Sequence, residues 1–317
     1  MTPLISVIIC TYNRKKLLQR LLKDLVCQTI ERPKYDVVIV DNGSTDGTLE
    51  LIDILIRKYR KIHIDLILEK KLGLGYARNI GVKKARGQYI AFLDDDSRIS
   101  KNYLEKILAC FNRVKPTPLV VGGKIIPLFD SRKPSWFREK YGIVSFGNSC
   151  RYLKKGESFS GPNMIFQKKV FEEFGEFYTK VGMRGESISV GEETSLFEKI
   201  WHKKGEGNFF YYSPDLVVNH YLLSYKTNIS YQLKRYFASG QSWHLRHQKK
   251  YFLHEFILCF EIIIGICFYS FKALLFLIKY KKWQNWIVEC WEKPVTFLGA
   301  LVAILGIEVN LNQKRNA

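Results

Sequence analysis

The amino-acid sequence predicts an α/β protein with a mostly parallel central sheet, followed by a C-terminal helical region that is both apolar and basic. Short apolar runs alternate with segments whose leucines and isoleucines recur at helical spacing. Such alternation is typical of β-α-β units, which place helices on both faces of a parallel sheet. Polar or acidic residues follow several of the predicted strands, at the strand ends where such sheets bind ligands.

The type of each predicted element follows from its hydrophobic spacing. Continuous apolar runs predict buried strands, whereas apolar residues three or four positions apart predict amphipathic helices. In chain order these are a strand at 4–10, a helix through Leu17 and Leu25, a strand at 35–40, a helix through Leu51 and Tyr59, a strand at 64–68, a helix at 74–85 and a strand at 89–93. Later come a short strand at 164–166, a helix from 192 through Trp201 and a strand that ends at 217–220.

Three consecutive carboxylates, Asp94, Asp95 and Asp96, follow the strand at 89–93. Like charges so close together repel unless a cation lies among them, and divalent cations prefer oxygen ligands. An acidic turn is the alternative, with Asp96 or Ser97 capping a helix that starts near Lys101. Tyr12 and Asp41 also lie at the ends of predicted strands, so three separate regions converge on one crevice, which favours a binding site.

Several motifs, taken in this order, resemble those of family 2 glycosyltransferases, which have the nucleotide-sugar-binding fold called GT-A. The matching residues are Ser6–Arg14, Val38–Asp46, Ala77–Asn79, Phe92–Asp96, Gly161–Met164, Gly191–Thr194 and His220. We therefore predict a catalytic domain at residues 1–225 and a helical, membrane-associating region at 226–317.

The resemblance implies a nucleoside-diphosphate sugar as donor, with UDP as the expected nucleotide. The residues that it places at the donor are Tyr12, Asn13, Arg14, Asp41, Asn42, Arg78, Asp94 and Asp95. An aromatic face at Tyr12 would stack on the base, and Asp41 would accept a hydrogen bond from it, since a carboxylate can only accept. Arg78 would approach the diphosphate. The alternatives are a turn-forming Asp41 and a solvated Arg78.

The resemblance also implies a divalent metal, Mn²⁺ or Mg²⁺, bound by Asp96 together with Asp94 and His220. Such an ion would offset the charge of the departing nucleoside diphosphate. A lone histidine at the end of a strand is more often structural, so the assignment of His220 rests on the resemblance.

Glu192 and Glu193 occupy the place where the family usually has Glu-Asp, with the Asp as the base that deprotonates the acceptor. Here both residues are glutamates, and we predict Glu193 as the base with Glu192 as the alternative. Acidic residues in the first turn of a helix are also favoured by the helix dipole, without any catalytic role.

The segment between the predicted strands, 127–150, breaks the β-α alternation. Its stretch Ser131–Phe137 predicts a mobile loop that borders the acceptor, or equally an aromatic pair packed on the edge of the domain. The turn Gly161-Pro162-Asn163 lies under the acceptor pocket in the resembling family.

The C-terminal region differs in character from the rest of the chain. Residues 256–271 are almost wholly apolar apart from Glu261, and Lys272 interrupts them before 273–278. Sixteen helical residues reach about 24 Å, short of the roughly 30 Å hydrocarbon core of a bilayer. Lysines and tryptophans at 279–286 resemble an interfacial anchor, so we predict helices that lie in the cytoplasmic leaflet. The alternatives are a spanning helix over 256–278, a buried helical subdomain and a dimer interface.

The net charge of +20 requires anionic partners. An anionic membrane surface and a sugar nucleotide explain this charge, and no nucleic-acid-binding motif points to nucleic acid as a partner. Seven cysteines without a C-x-x-C pair argue for reduced thiols in the cytosol.

The predicted function is inverting transfer of a sugar from a nucleoside-diphosphate sugar to a glycan or lipid-linked acceptor, in surface polysaccharide biosynthesis. A sugar nucleotidyltransferase is one alternative, but it would need a glycine-rich loop after the first strand, and residues 10–14 contain no glycine. A non-catalytic protein that binds sugar nucleotides or lipids is the other.

Overall fold

The computed structural model describes residues 2–247, 252–307, 309, 311 and 312. For residues 252–256 it describes the backbone alone. The chain forms two compact units. Unit 1 comprises Met1–Leu128, Glu139–Thr179 and Glu193–Tyr221, and unit 2 comprises Phe129–Arg138, Lys180–Glu192 and Leu222–Ala317. The predicted boundary between residues 225 and 226 stays a prediction.

A nine-stranded mixed sheet is the centre of unit 1. Its strands are β1 (Ile5–Thr11), β2 (Tyr35–Asp41), β3 (Ile64–Leu68), β4 (Tyr89–Asp94), β5 (Ser97–Ile99), β6 (Val120–Phe129), β7 (Arg151–Tyr152), β8 (Met164–Gln167) and β9 (Phe210–Leu222). They lie in the order β3-β2-β1-β4-β8-β6-β9-β5, with β7 on β9. β3, β2, β1 and β4 are parallel, as the β-α alternation predicts, and β8 pairs antiparallel with both β4 and β6.

Ten α-helices are present in the described part of the chain. They are α1 (Lys15–Val26), α2 (Thr48–Lys58), α3 (Leu74–Lys84), α4 (Tyr103–Arg113), α5 (Lys169–Phe174), α6 (Glu192–Lys204), α7 (Ile229–His247), α8 (Phe252–Leu275), α9 (Trp283–Cys290) and α10 (Glu292–Ile304).

Side chains of successive strand residues bury into opposite faces of the sheet. Val7 and Ile9 of β1 join a core cluster with leucines of α1 and α2, whereas Ile8 joins a second cluster with Ala77 of α3 and Phe197 of α6. This is the period of two expected of a strand that is covered on both sides. The sheet is therefore held in place from both faces, and the loops at its carboxyl edge are carried on a rigid support.

The turn after β4 differs from the helix-cap alternative. Ser97 begins β5 instead of capping a helix, and α4 begins at Tyr103 after Asn102. Asp95 and Asp96 therefore form the link between two strands of the sheet. The cap interpretation is wrong, because a strand, β5, follows the acidic residues directly. The sequence does not predict this strand, because it is too short and too polar to appear in the hydrophobic pattern.

Unit 2 is helical, and its α8 is continuous over 24 residues. Lys272 interrupts the apolar run but not the helix, because lysine is a good helix former and its charge alone does not end a helix. At 1.5 Å per residue α8 measures about 36 Å. Within it, Ile257–Leu275 has a mean hydropathy of 2.0, and only 11% of this stretch is buried. It is the one helix in the described part of the chain that is long and apolar enough to cross a membrane.

The loop at Ser131–Phe137 packs within unit 2. Phe137 is buried, and its ring meets those of Phe129 and Trp136 edge to face at 5.9 and 5.5 Å. Lys282 Nζ donates to the Ser135 carbonyl at 2.6 Å. The structure therefore supports the packed alternative for this aromatic pair.

Candidate active site

The carboxyl edge of the parallel strands brings the predicted donor-site residues together. In the sheet register Thr11 lies opposite Asp41, and Cys10 lies opposite Asp94. Residues that are 30 or more positions apart in the chain thus meet at one edge because three neighbouring strands end at the same level.

Asp94, Asp96 and His220 form a cluster in which one ligand atom from each lies within 4.8 Å of the others. His220 Nε2 is 2.7 Å from Asp96 Oδ1 and 3.8 Å from Asp94 Oδ2. His220 reaches the carboxylates because β5 pairs antiparallel with β9 and places Ser97 opposite His220. Two carboxylates and one imidazole are a donor set that suits Mn²⁺ and also accepts Mg²⁺, so these residues fit a divalent ion.

Asp95 lies behind this cluster and is buried. Its Oδ2 accepts a hydrogen bond from Thr11 Oγ1 at 2.8 Å. Burial raises the pKa of the Asp95 carboxyl to about 7, reinforced by the charges of Asp96 and Asp94 and opposed by Arg14 and the Thr11 hydrogen bond. Burial makes the charge of Asp95 costly to maintain, and its hydrogen bond with Thr11 supports the loop from the protein side.

Two arginines counter the negative charge of the cluster. Arg14 Nη1 donates to Asp96 Oδ2 at 3.0 Å. Arg78, which is only 2% exposed, lies 3.5 Å from Asp94 and 3.7 Å from Glu193. It therefore joins the predicted metal cluster to the predicted base, and it is not the solvated residue of the alternative interpretation.

The guanidinium of Arg78 is held in a tight position. It lies beside the rings of Phe92 and Phe177, 5.9 and 5.6 Å from their centroids. A Cβ atom on Gly161 would lie 2.3 Å from Arg78 Nη2, so only glycine fits there. The Gly161-Pro162-Asn163 turn thus leaves room for Arg78, while the Asn163 amide donates to the carbonyls of Lys124 and Leu216.

One carboxylate oxygen of Asp41 accepts hydrogen bonds from the loop, and the other accepts none from the described residues. Its Oδ2 accepts from the amides of Gly43 and Ser44 at 3.1 and 3.0 Å. Its Oδ1 is buried and has no hydrogen-bond partner among the described residues. A buried oxygen without a donor is costly, so this atom suits a ligand N–H. Asp41 can therefore form the turn through one oxygen and bind a ligand through the other.

The remaining predicted donor residues shape this edge. The Asn42 side chain donates to the carbonyls of Glu69 and Lys71 and accepts from the Gly73 amide, so it orders the loop before α3. Asn13 adopts φ +52°, and its Oδ1 accepts from the Thr45 amide at 2.7 Å. Tyr12 follows β1 and is half-buried.

Glu192 and Glu193 have different surroundings. Glu192 is 3% exposed and packs beneath Gly182, where a Cβ would lie 2.7 Å from its Oε2. The side chain of Glu193 is 20% exposed and faces Arg78. Its Oε2 accepts no hydrogen bond from the described residues.

Sequence reasoning missed Thr11, Phe92 and Phe177 as supports of the site. Thr11 had a local signal, because a hydroxyl directly before Tyr12 lies at the same strand end. The two phenylalanines had none, because an aromatic ring that packs on a buried arginine looks like any other core residue.

Comparison with known proteins agrees with this geometry. The family model "Glycosyl transferase family 2" matches residues 6–175. A glucosyl-dolichyl phosphate glucuronosyltransferase of Haloferax volcanii is 27% identical over 249 residues, covering 75% of each chain.

Two solved structures have the same fold. A mannosyltransferase of Pyrobaculum calidifontis, solved with GDP-Man and Mn²⁺, superposes with a TM-score of 0.64 at 18% identity over 97% of this chain and 89% of its own. The TarS protein of Staphylococcus aureus, residues 1–349 with UDP-GlcNAc, gives 0.54 at 17% identity over 96% and 92%.

The chain therefore belongs to glycosyl transferase family 2. It is a glycosyltransferase of glycan biosynthesis, and the prediction of the GT-A fold with a helical C-terminal region is confirmed. Family membership favours this function over the nucleotidyltransferase and non-catalytic alternatives.

Proposed function

We propose that the chain transfers a sugar from a nucleoside-diphosphate sugar to a hydroxyl of a lipid-linked or glycan acceptor, with inversion at the anomeric carbon and with a divalent metal. The observation that carries this proposal is the bridge made by Arg78 between Asp94 of the metal cluster and Glu193. One site then serves both the leaving group and the acceptor.

The base of the nucleotide lies against Tyr12, and its N–H donates to Asp41 Oδ1. Uracil and guanine both carry such a donor, and UDP remains our first choice. The relatives bear on this choice only indirectly, since the solved structures hold GDP-Man in one case and UDP-GlcNAc in another.

Asp94, Asp96 and His220 would hold the ion. When bound, a divalent ion stabilises the negative charge that develops on the diphosphate. Arg78 is a fixed positive charge beside the same oxygens, and it requires no reorganisation during the reaction because it is buried and packs against two rings.

Glu193 removes the proton from the acceptor hydroxyl as its oxygen attacks the anomeric carbon. The new carbon–oxygen bond forms on the face opposite the diphosphate while the bond to the diphosphate oxygen breaks. The Oε2 atom of Glu193 suits this role because no hydrogen bond from the described residues competes for its lone pairs. Glu192, which packs against Gly182, positions the start of α6.

A thermal-shift panel tests the donor proposal. Binding that favours the folded state raises the melting temperature by an amount set by RT ln(1 + [L]/Kd), about 2.7 kcal/mol of stabilisation at 100 times Kd. We expect one nucleotide sugar to stabilise the protein in the presence of Mn²⁺ or Mg²⁺, and Asp41→Asn to abolish the preference among bases. Asp65→Asn, on a half-buried residue of β3 whose side chain contacts His63, is the control. Equal responses to all nucleotides in the unsubstituted protein would contradict the assigned base site.

The acceptor side of the proposal includes attachment to the cytoplasmic face of a membrane. Phe260, Phe268 and Phe271 of α8 are 63, 59 and 63% exposed, and Ile278 beyond it is 96% exposed. Exposed apolar surface on this scale suits lipid contact. A 36 Å helix is also long enough to span, so whether α8 inserts or lies in the leaflet is settled by washing membranes.

We expect the full chain to sediment with membranes and to remain there after washing with high salt, because apolar contact does not depend on ionic strength. Extraction by alkaline carbonate identifies a helix that lies in the leaflet, and resistance to it identifies an inserted one. Recovery of the full chain in the soluble fraction without detergent would show that the membrane proposal is wrong.

A further inference from the structure

Unit 2 contains a cavity of about 300 Å³ at the C-terminal end of α8. It is lined by α8 from Tyr269 onward, by the link between α8 and α9, and by the adjoining ends of α9 and α10. All of these residues belong to unit 2. The cavity is therefore a local feature of the region in which the most apolar helix of the described chain ends.

Side-chain hydrogen bonds tie the walls of this cavity together. Trp286 Nε1 of α9 donates to the Ala273 carbonyl of α8 at 2.7 Å. Lys293 Nζ of α10 donates to the Tyr269 hydroxyl of α8 at 3.1 Å. Contacts between the three helices thus form the cavity, and its shape does not require a ligand.

The charges around the cavity favour an anion. Three lysines and two glutamates line it: Lys272, Lys279, Lys293, Glu289 and Glu292. Glu289 is already matched, because Arg138 Nη1 donates to its Oε1 at 2.7 Å. Three positive charges then remain against the carboxylate of Glu292, which is exposed. A group with a negative charge improves this balance, and a cation would worsen it.

Lys272 and Lys279 are the lysines best placed to bind such a group. Both are exposed, and among the described residues neither ammonium group has a hydrogen-bond or ion-pair partner. Lys279 Nζ lies 5.4 Å from the centroid of the Phe276 ring. Each ammonium group offers three donors to the oxygens of a phosphate.

An exposed apolar stripe of α8, formed by Phe268, Phe271 and Leu275, runs beside the cavity. These side chains are 59, 63 and 65% exposed. Each of them directly precedes a residue that lines the cavity, so each lies about 100° round the helix from it. A ligand whose charged end enters the cavity can therefore lay its hydrocarbon along this stripe.

We propose that the cavity binds the head group of an anionic phospholipid, with the phosphate on Lys272 and Lys279 and the acyl chains along the apolar stripe. This inference rests on the membrane attachment in the proposed function, and it adds a defined site for one lipid. The volume lies at the lower end of the about 300–1,000 Å³ found for small-molecule pockets, so it suits a head group and leaves both acyl chains outside. Lysines beside an apolar helix are an arrangement that attracts anionic lipids.

Native mass spectrometry of the full chain in detergent tests the proposal. The probes are dioleoyl phosphatidylglycerol and dioleoyl phosphatidylcholine, which have the same acyl chains. We expect one phosphatidylglycerol to be retained per chain, at least fivefold more than phosphatidylcholine at equal concentration. A hundredfold excess of glycerol phosphate should displace less than half of it, because that anion has no acyl chains for the stripe. Equal retention of the two lipids, or complete displacement by glycerol phosphate, would overturn the proposal.

Lysine variants provide the matched comparison. Lys272→Gln and Lys279→Gln should each weaken retention of phosphatidylglycerol about fivefold, the effect of one cation near an anionic lipid surface. Lys281→Gln, on an exposed lysine of the same link that does not line the cavity, should leave it within twofold. All three substitutions are at exposed positions, where glutamine keeps a polar side chain. An equal loss in all three would indicate attraction by surface charge alone and would overturn the defined site.

Sedimentation with vesicles of pure phosphatidylcholine separates this inference from the proposed function. Membrane attachment through apolar contact needs no anionic lipid, so the unsubstituted chain and Lys272→Gln should sediment alike. A chain that sediments with these vesicles but retains no phosphatidylglycerol would overturn the head-group site alone. A chain that retains one phosphatidylglycerol in detergent but stays in solution beside the vesicles would support the site and overturn the membrane attachment.

Discussion

Replacing Asp96 by asparagine is expected to abolish sugar transfer and the metal-dependent part of donor binding. Asp96 is 3% exposed, and it pairs with His220 at 2.7 Å and with Arg14 at 3.0 Å. Asparagine keeps the size of the side chain but removes its charge, so the cluster loses one of its two anionic ligands. Transfer should not recover at Mn²⁺ concentrations that saturate the unsubstituted protein, because the loss of one anionic ligand lowers the affinity of the site for the ion.

Loss of stability has to be separated from loss of metal in this experiment. Removal of one partner of a buried ion pair costs about 3–5 kcal/mol, and Asp96→Asn removes a carboxylate that pairs with Arg14. His220→Gln removes a ligand and keeps the ion pair between Arg14 and Asp96, so its melting temperature should stay closer to that of the unsubstituted protein. Undiminished transfer by the unsubstituted protein in excess chelator would refute the metal proposal.

Replacing Glu193 by glutamine is expected to reduce transfer by a factor of about 10²–10⁴, the usual contribution of a positioned base. Glutamine has the same length and still fits beside Arg78, but its amide cannot take the acceptor proton. Nucleotide-sugar binding should persist, because the donor residues lie at the strand ends, in the loops that follow them and on α3, and not on α6. The rate constant for transfer and the donor dissociation constant, measured on the same protein, separate these two effects.

Two further variants on α6 make the result specific. Glu198→Gln, further along the helix, should transfer at the normal rate and controls for the loss of one negative charge. Glu192→Gln should lower stability more than transfer, since Glu192 is buried against Gly182. A larger loss of transfer in Glu192→Gln than in Glu193→Gln, or a product that retains the anomeric configuration of the donor, would show that the assigned mechanism is wrong.

The sequence by itself determined the parallel half of the sheet and the edge at which it binds ligands. The reason is that β1, α1, β2 and α2 each carry a hydrophobic period readable within 7 to 12 residues. Parallel strands joined by helices must end at one edge, so Asp41 and Asp94 could be placed together without any knowledge of tertiary contacts.

The tertiary structure alone decided how that edge is completed. His220 joins the cluster through the pairing of β5 with β9, and a three-residue strand leaves no periodic signal in a sequence. Arg78 lies on a helix whose small residues hide its burial. Only the tertiary contacts show that it packs against Phe92 and Phe177 and lies near both Asp94 and Glu193. Glu192 and Glu193 are chemically identical, and their environments differ because one faces Gly182 and the other faces Arg78. Contacts between residues far apart in the chain set these features, and local patterns carry no record of them.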